Sequence, residues 1–390
     1  MRTTLTRRTA ILGLALGCAG AGLAACSAPG GSSSSSAATG ASGASGAIKV
    51  AIIDPQSGQT SSLGDWELKG AKLAIEEINA AGGVDGRQIS FTLYDDQGDP
   101  TVATNLARKA VSEGAVAVLG SATSGNSLAM VPILEAAKVP EISSGQSPKL
   151  GQTGSKFIFL NAPPSTAIDE SLAKYLVTTK SLKKIAMISN NGAYGKGEHD
   201  AFLASLKDLG VTPTSDQSIT PDQKDFTSAL TSIRGTNPDV LFIGAEEVES
   251  GLIAKQARQL GIQAVFAGGT PAATDIYVQT AGAAVADGTI CSTPYLGNDT
   301  SDATKKFAAA YKAAYGKDPE FHGAKAYDGG HILADALKTT KGAGGQALAD
   351  AIRTVKYNGL VGSFAFGENG VGVHDSQIGV IKNGMATPVS

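Results

Sequence analysis

Histidine, cysteine and tryptophan are scarce in this 390-residue chain, which holds 4, 3 and 1 of them. The four histidines, His199, His322, His331 and His374, are scattered, with no Cys/His cluster and no His-Glu-x-x-His helix, so no metal site is expected. Neither a Gly-x-Ser-x-Gly nucleophile elbow nor a Walker-type Gly-Lys-Ser/Thr loop is present. Gly82-Gly83 closes a helical pattern instead of opening one, the reverse of a dinucleotide fingerprint. The pair Asp95-Asp96 ends a strand-like run and reads as turn chemistry. No cofactor and no catalytic activity are expected. Charge of one sign is missing too: 32 Lys+Arg face 35 Asp+Glu, and the body carries no basic block, which argues against nucleic acid as a partner. Beyond the first residues no long apolar run occurs, so no membrane span is expected.

What is present begins with a leader. Arg2, Arg7 and Arg8 form a basic start, Ala10 to Leu16 an apolar stretch, and small residues precede Cys26, the pattern of a secretory signal over residues 1–25. Leu23-Ala24-Ala25-Cys26 resembles the bacterial lipobox, which implies cleavage before Cys26 and its acylation. Thr6-Arg7-Arg8 leaves Sec and twin-arginine export both open. Losing three arginines with the leader makes the rest of the chain more acidic than the formal −3. Residues 26–47, mostly Ser, Gly and Ala, bury too little to offset their ordering entropy and read as a flexible tether. Cys18 leaves with the leader and Cys26 is the lipid site. Cys291 then stands alone, a small buried side chain without a disulfide.

The body alternates strand and helix. Ile48 to Ile53 is a β-branched strand, followed by a helix from about Asp65 in which Leu68, Ala71, Ile75 and Ile78 form the apolar stripe. Strands at Ile89–Tyr94, Val116–Leu119 and Val139–Ile142 enclose helices at Thr101–Ser112 and Asn126–Ala137. After Ala162-Pro163-Pro164 the alternation restarts. Strands at Ile185–Ile188, Val240–Ile243 and Ala264–Phe266 lie between helices at Thr166–Thr178, Gly197–Leu209, Phe226–Arg234 and Ser250–Leu260. Helices near Ala303–Tyr315, Gly323–Thr339 and Ala347–Thr354 precede strands at Phe364–Phe366 and Gln377–Ile381. Such alternation implies βαβ units and parallel sheets, and the length implies two cores.

From Ala47 onward the chain resembles the leucine/isoleucine/valine-binding protein family of ABC-importer receptors. The resemblance rests on Asp65 to Pro100, with Gly-Ala-Lys-Leu-Ala-Ile-Glu-Glu-Ile-Asn-Ala-Ala-Gly-Gly and Tyr-Asp-Asp-Gln-Gly-Asp-Pro. Gly120-Ser-Ala-Thr-Ser124, Ala193-Tyr-Gly-Lys-Gly197 and Tyr327-Asp328 follow in order. It implies a type I periplasmic-binding fold: two doubly wound parallel-sheet α/β lobes joined by three crossovers, near Ala162, Thr293 and Gly362. One lobe would combine residues 48–162 with 294–362, the other 163–293 with 363–390. Ligand would sit between them, beyond the carboxyl ends of the strands.

Ser124 stands just before a helix, where exposed amides suit a carboxylate, and it matches the family's carboxylate-binding serine. A plain capping role is the alternative. Ser144, Gly145 and Ser147 lie in a small-residue loop to which the family assigns backbone and hydroxyl donors. Tyr194, read as part of a Gly-rich rim loop, matches a cleft-lining tyrosine, and Leu63 a bulky lining position in the first loop. The amino-group end departs from the family pattern. Thr270 stands at the acidic position and Glu246 at a tyrosine position. Glu246 could meet an ammonium from there, or, with Glu247 and Glu249, could start a solvated acidic helix. His322 falls near an aromatic lining position, with Phe321 as its competitor and a structural role as the alternative.

The leading reading is an exported, lipid-anchored, monomeric receptor that captures a branched-chain or related small amino acid by hinge closure and delivers it to the permease subunits of an ABC importer. A non-amino-acid cargo (an amide, urea or small carboxylate) and a sensory receptor feeding a membrane kinase are the alternatives.

Overall fold

A computed structural model describes residues 46–296, 301–360, 362–372 and 376–389; the expected leader, most of the tether, Cys26 and His374 lie outside the described residues. The first elements are β1 (Ile48–Asp54), α1 (Ser61–Ala80), β2 (Ile89–Asp95), α2 (Pro100–Ser112), β3 (Ala117–Leu119), α3 (Ser124–Ala137), β4 (Glu141–Ser143) and β5 (Ile158–Leu160). The chain continues through α4 (Ser165–Lys174), β6 (Ile185–Asn190), α5 (Ala193–Asp208), β7 (Ser215–Ile219), α6 (Thr227–Gly235), β8 (Val240–Gly244) and α7 (Glu247–Gln259). Next come β9 (Val265–Gly268), α8 (Asp275–Ala281), α9 (Ala283–Ala286) and β10 (Ile290–Thr293). It ends with α10 (Asp302–Tyr315), α11 (Phe321–Thr339), α12 (Gln346–Thr354), β11 (Lys356–Gly359), β12 (Gly362–Ala365), β13 (Gln377–Lys382) and β14 (Met385–Pro388).

Two sheets result. The first has order β2-β1-β3-β4-β5 and is parallel throughout. The second has order β14-β13-β10-β9-β8-β6-β7, parallel from β10 to β7, with β13 and β14 added antiparallel at one edge. Ile48, Ile52 and Phe159 of the first sheet share a core with Ile332 and Leu337 of α11 and Leu348 and Ile352 of α12, so these late helices return to the first lobe. Ile188, Ile243, Phe226, Ile253 and Tyr277 fill the second lobe.

Several elements differ from the sequence reading. Helix α1 begins at Ser61, which places Leu63 on a helix and in the core at 2% exposure, not in a lining loop. At this start Thr60 occupies the cap position and makes no side-chain cap bond. Strand β7 reads Ser-Asp-Gln-Ser-Ile, polar because it is the sheet's edge, and β5 is too short to show a period. The last crossing also comes later than Gly362. Val371 bridges to Leu160 of the first sheet, whereas pairing with the second begins at Gln377. The strand-like residues near 362 pair instead in the small β11–β12 hairpin.

Helix starts that carry the site are fixed locally. Asp99 caps α2, accepting from the N–H groups of Thr101 (2.6 Å) and Val102 (3.1 Å), with Pro100 at the first position. Glu320 caps α11 in the same way, accepting from His322 N–H at 2.8 Å and Gly323 N–H at 3.2 Å. Cys291 is buried and unpaired in β10, where burial pushes its thiol up to about 12, so it is inert.

Candidate functional site

Apart from His322, which opens α11 after helix α10, the candidate residues follow the carboxyl ends of strands. On the first lobe, Ser124 opens α3 after β3, and its Oγ accepts from the Ser147 N–H at 3.1 Å, joining the loops after β3 and β4. Gly145 makes that approach possible, since a Cβ there would stand 3.3 Å from Ser124 Cα and 2.9 Å from Leu150 Cδ1. Its own N–H is spent on Ser143 Oγ at 3.0 Å, so its contribution is space. The hydroxyls of Ser144 and Ser147 are buried and have no partner. Ser144 lines a small hollow with Asp54, Glu67 and Asn161, and Ser147 faces the other lobe.

On the second lobe, Tyr194 sits in the first turn of α5, not in a rim loop. Helix α5 begins at Ala193 because Gly195 and Gly197 are both accommodated within it, Gly195 against Asn190 of β6. One turn on, Glu198 shares the face of Tyr194. Glu198 is 1% exposed, and it lies over the strand ends. A Cβ on Gly244 would be 3.1 Å from its Cβ, and one on Gly269 would be 2.5 Å from its Oε2. Both Glu198 oxygens, the Tyr194 hydroxyl and the Thr270 hydroxyl lack a hydrogen-bond partner. Burial pushes Glu198 up to about 7, opposed by the nearby hydroxyls of Ser165 and Tyr194. Burial and the Glu198 charge hold Tyr194 well above its ordinary value, so its hydroxyl can donate.

The two halves meet. A Cβ on Gly197 would be 2.9 Å from Pro148 Cδ and 3.2 Å from Ser147 Oγ, and one on Gly125 would be 3.9 Å from Ala193 Cβ. Hydroxyl donors of one lobe therefore close on carboxylate and phenol groups of the other. Gly197→Ala is expected to keep the fold and strengthen α5, yet to wedge the lobes apart. At a typical overpacking cost of about 1–3 kcal/mol, ligand affinity should fall roughly 5- to 150-fold with no loss of melting temperature; titration calorimetry beside thermal unfolding checks both.

The acidic start of α7 is not solvated as the sequence suggested. Glu247 and Glu249 are buried at 1% and 7%, because α7 begins at Glu247 and its first turn faces the first lobe. The Ser62 hydroxyl donates to Glu247 Oε2 at 2.6 Å across the lobes, and Glu249 accepts from Asn190. Glu246 is the half-buried cap-position residue, with no side-chain cap bond. Burial and the charges of Glu249 and Glu247 push it up to about 8. His322 is buried beside Glu320, 2.9 Å from its Oε2, and Glu247, Glu320 and His322 bring ligand-type atoms within 4.8 Å. Burial works against protonation of His322, but Glu320, Glu247 and Glu67 outweigh it and push the imidazole up to about 9. As a cation it pairs with Glu320 and attracts the nearby Glu247 of the other lobe, a latch held by charge. Phe321 and Thr270, with Trp66, line an adjoining hollow of about 460 Å³.

These shifts share one sign. Glu198, Glu246 and Glu247 have folded values of about 7, 8 and 7, above the 4.5 of an ordinary glutamate, so their native forms hold protons that the unfolded chain has lost. His322 at about 9 against 6.5 does likewise. Stability present at low pH is lost as pH rises through these values. The ligand-free protein should melt at a lower temperature at pH 9 than at pH 6, and a flat or rising profile by calorimetry would contradict the burial of these groups.

A second hollow of about 450 Å³ lies between Pro148, Lys149, Thr166, Glu170, Gly197 and Asp200. No orphaned buried polar atom belongs to its lining, whereas several face the cleft described above.

Among the site residues, Glu198 escapes sequence reasoning. Its signal is the four-residue spacing from Tyr194, which puts the pair on one helix face.

Comparison with known proteins places these features in context. A family model described as periplasmic binding protein matches residues 47–386. The Leu/Ile/Val-binding protein homolog 3 of Brucella melitensis is 32% identical over 263 residues, 67% of this chain and 70% of that protein. The branched-chain amino acid transporter substrate-binding protein of Streptococcus pneumoniae, solved with isoleucine, is 29% identical with a TM-score of 0.82, covering 87% of this chain and 97% of that one. A solute-binding protein from R. palustris, solved with benzoate, shares the fold at 22% identity and a TM-score of 0.80, over 88% and 96% of the two chains.

Proposed function

The chain belongs to the periplasmic binding protein family, and from that premise we propose that it is the extracytoplasmic receptor of an ABC importer for a small amino-acid-like solute. Relatives that are solute-binding proteins, not enzymes, support the class. The observation that carries the reading is the split of unpartnered buried groups between the lobes. The hydroxyls of Ser144 and Ser147 on one side suit a carboxylate or other acceptor, as does the helix start at Ser124. Glu198, Tyr194 and Thr270 on the other side suit an amine. A solute with both ends satisfies both lobes only when they close, which is how capture and closure become one event. Acylation at Cys26 would hold the receptor at the membrane, and closure would present it to permease subunits.

Mass spectrometry of solute released from purified protein, followed by a thermal-shift panel of amino acids, amides, urea and aromatic acids, tests the reading. Amino acids should raise the melting temperature. A panel in which only aromatic acids do so would overturn the amine assignment, and benzoate in a structural relative makes that arm necessary. Glu246→Gln should weaken binding less than Glu198→Gln, because Glu246 is half-buried and already faces His322.

A further inference from the structure

The second lobe buries more acid than one ammonium can use. Asp169 lies on α4, one turn after Ser165, and α4 packs along α5, which carries Tyr194 and Glu198. Asp169 and Glu198 are 0% and 1% exposed, and none of their four carboxyl oxygens has a hydrogen-bond partner. Their charges act on each other, and both act on Tyr194. The only charge that reaches Asp169 strongly is that of Glu198; no basic side chain among the described residues pairs with either. Two buried carboxyls without cations meet the cost of burial by holding protons, and a cation entering the seat can displace them.

Neutral amino acids bring one ammonium with three N–H donors. The seat offers four carboxyl oxygens, the Tyr194 hydroxyl and the Thr270 hydroxyl. A guanidinium carries five N–H donors in a planar fork, and a second amine adds three more.

Resting on the cleft being the ligand site, we propose that the cargo is a basic solute, carrying an N–H-rich cationic group in addition to a single ammonium, and that Asp169 and Glu198 together seat its cationic part. A second amine or a guanidinium would serve the same seat. Such a solute brings donors to both carboxyls, whereas leucine meets one and leaves the oxygens of the other buried without a hydrogen-bond partner.

Matched pairs on the unaltered protein test this by titration calorimetry: lysine against norleucine, arginine against citrulline, and putrescine against butylamine. Within each pair the shape is nearly constant and the extra cation is the variable. The basic partner should bind at least about 100-fold more tightly, the scale of removing one charge-assisted hydrogen bond from a buried site. Whether the lysine or the arginine pair shows the larger ratio identifies amine or guanidinium. Asp169→Asn should shrink the ratio to under about tenfold; should that variant not fold, the ratios in the native protein still decide the matter. Norleucine or citrulline binding as tightly as its basic partner would overturn the basic-solute proposal and leave the amino-acid receptor standing. Binding of aromatic acids with no response to any amine would overturn both.

Discussion

Replacing Glu198 with Gln is expected to move two quantities in opposite directions. Affinity for an amine solute should fall by about 2–5 kcal/mol, roughly 30- to several-thousand-fold, the cost seen when one member of a buried charge pair is removed. The ligand-free protein should become more stable at pH 8. Glu198 holds a folded value of about 7 against 4.5, since burial disfavours its charged form more than the nearby Ser165 and Tyr194 hydroxyls restore it and no cation among the described residues pairs with it. Each unit of that difference is worth about 1.4 kcal/mol, and the amide's own unmet hydrogen bonds return part of it, so a net gain of about 1–2 kcal/mol remains. Melting temperature should therefore rise by a few degrees while binding nearly disappears. Calorimetry with and without ligand measures both. A variant that loses stability and keeps its affinity would show that Glu198 belongs to the core and not to the ligand.

Gly70→Val should be severely damaging to the fold. Helices α1 and α11 cross backbone to backbone. A Cβ on Gly70 would lie 2.0 Å from the Gly323 carbonyl oxygen and 2.8 Å from its carbonyl carbon, and neither atom can swing away. Gly323 meets the Trp66 carbonyl at 3.3 Å from its own Cβ position, and Gly330 meets Ala74 at 2.7 Å, so small residues line the whole crossing. Overpacking at such a site costs about 3 kcal/mol or more, which lowers the melting temperature by roughly 5–10 °C. Because α11 begins with Glu320, Phe321 and His322, displacing it also disturbs the latch between the lobes, and ligand affinity should fall with stability. Gly235→Ala is the control. No atom lies within 4 Å of its Cβ position at the end of α6, and the change should be neutral or slightly stabilising. Equal losses in the two variants would refute the crossing as the cause.

Much of the scaffold is legible without coordinates. The stripe Leu68, Ala71, Ile75, Ile78 marks a helix, and β-branched runs such as Ile48 to Ile53 mark central strands, because burial on one face imposes a period on the sequence itself. Family membership follows from an ordered set of motifs, which local chemistry preserves in the chain. Edge strand β7 and three-residue β5 leave no such imprint, since one is solvated and the other too short to repeat.

The site divides along the same line. The small-residue loops at Ser124 and at Ser144 to Ser147, together with Tyr194, announce themselves in sequence because turns and helix starts are local. Tyr194 nevertheless reads as a loop residue, since Gly195 and Gly197 look like breakers until Asn190 and Pro148 are seen pressed against them. Glu198 and Asp169 look like ordinary surface acids. Only the packing of α4 on α5 and the approach of Gly244 and Gly269 bury them without partners. Sequence alone thus determined that this chain is an α/β periplasmic binding protein and singled out the small-residue loops at its strand ends. Tertiary structure decided where its negative charge is trapped, because the cost of a buried carboxyl is set by what surrounds it and not by its neighbours along the chain.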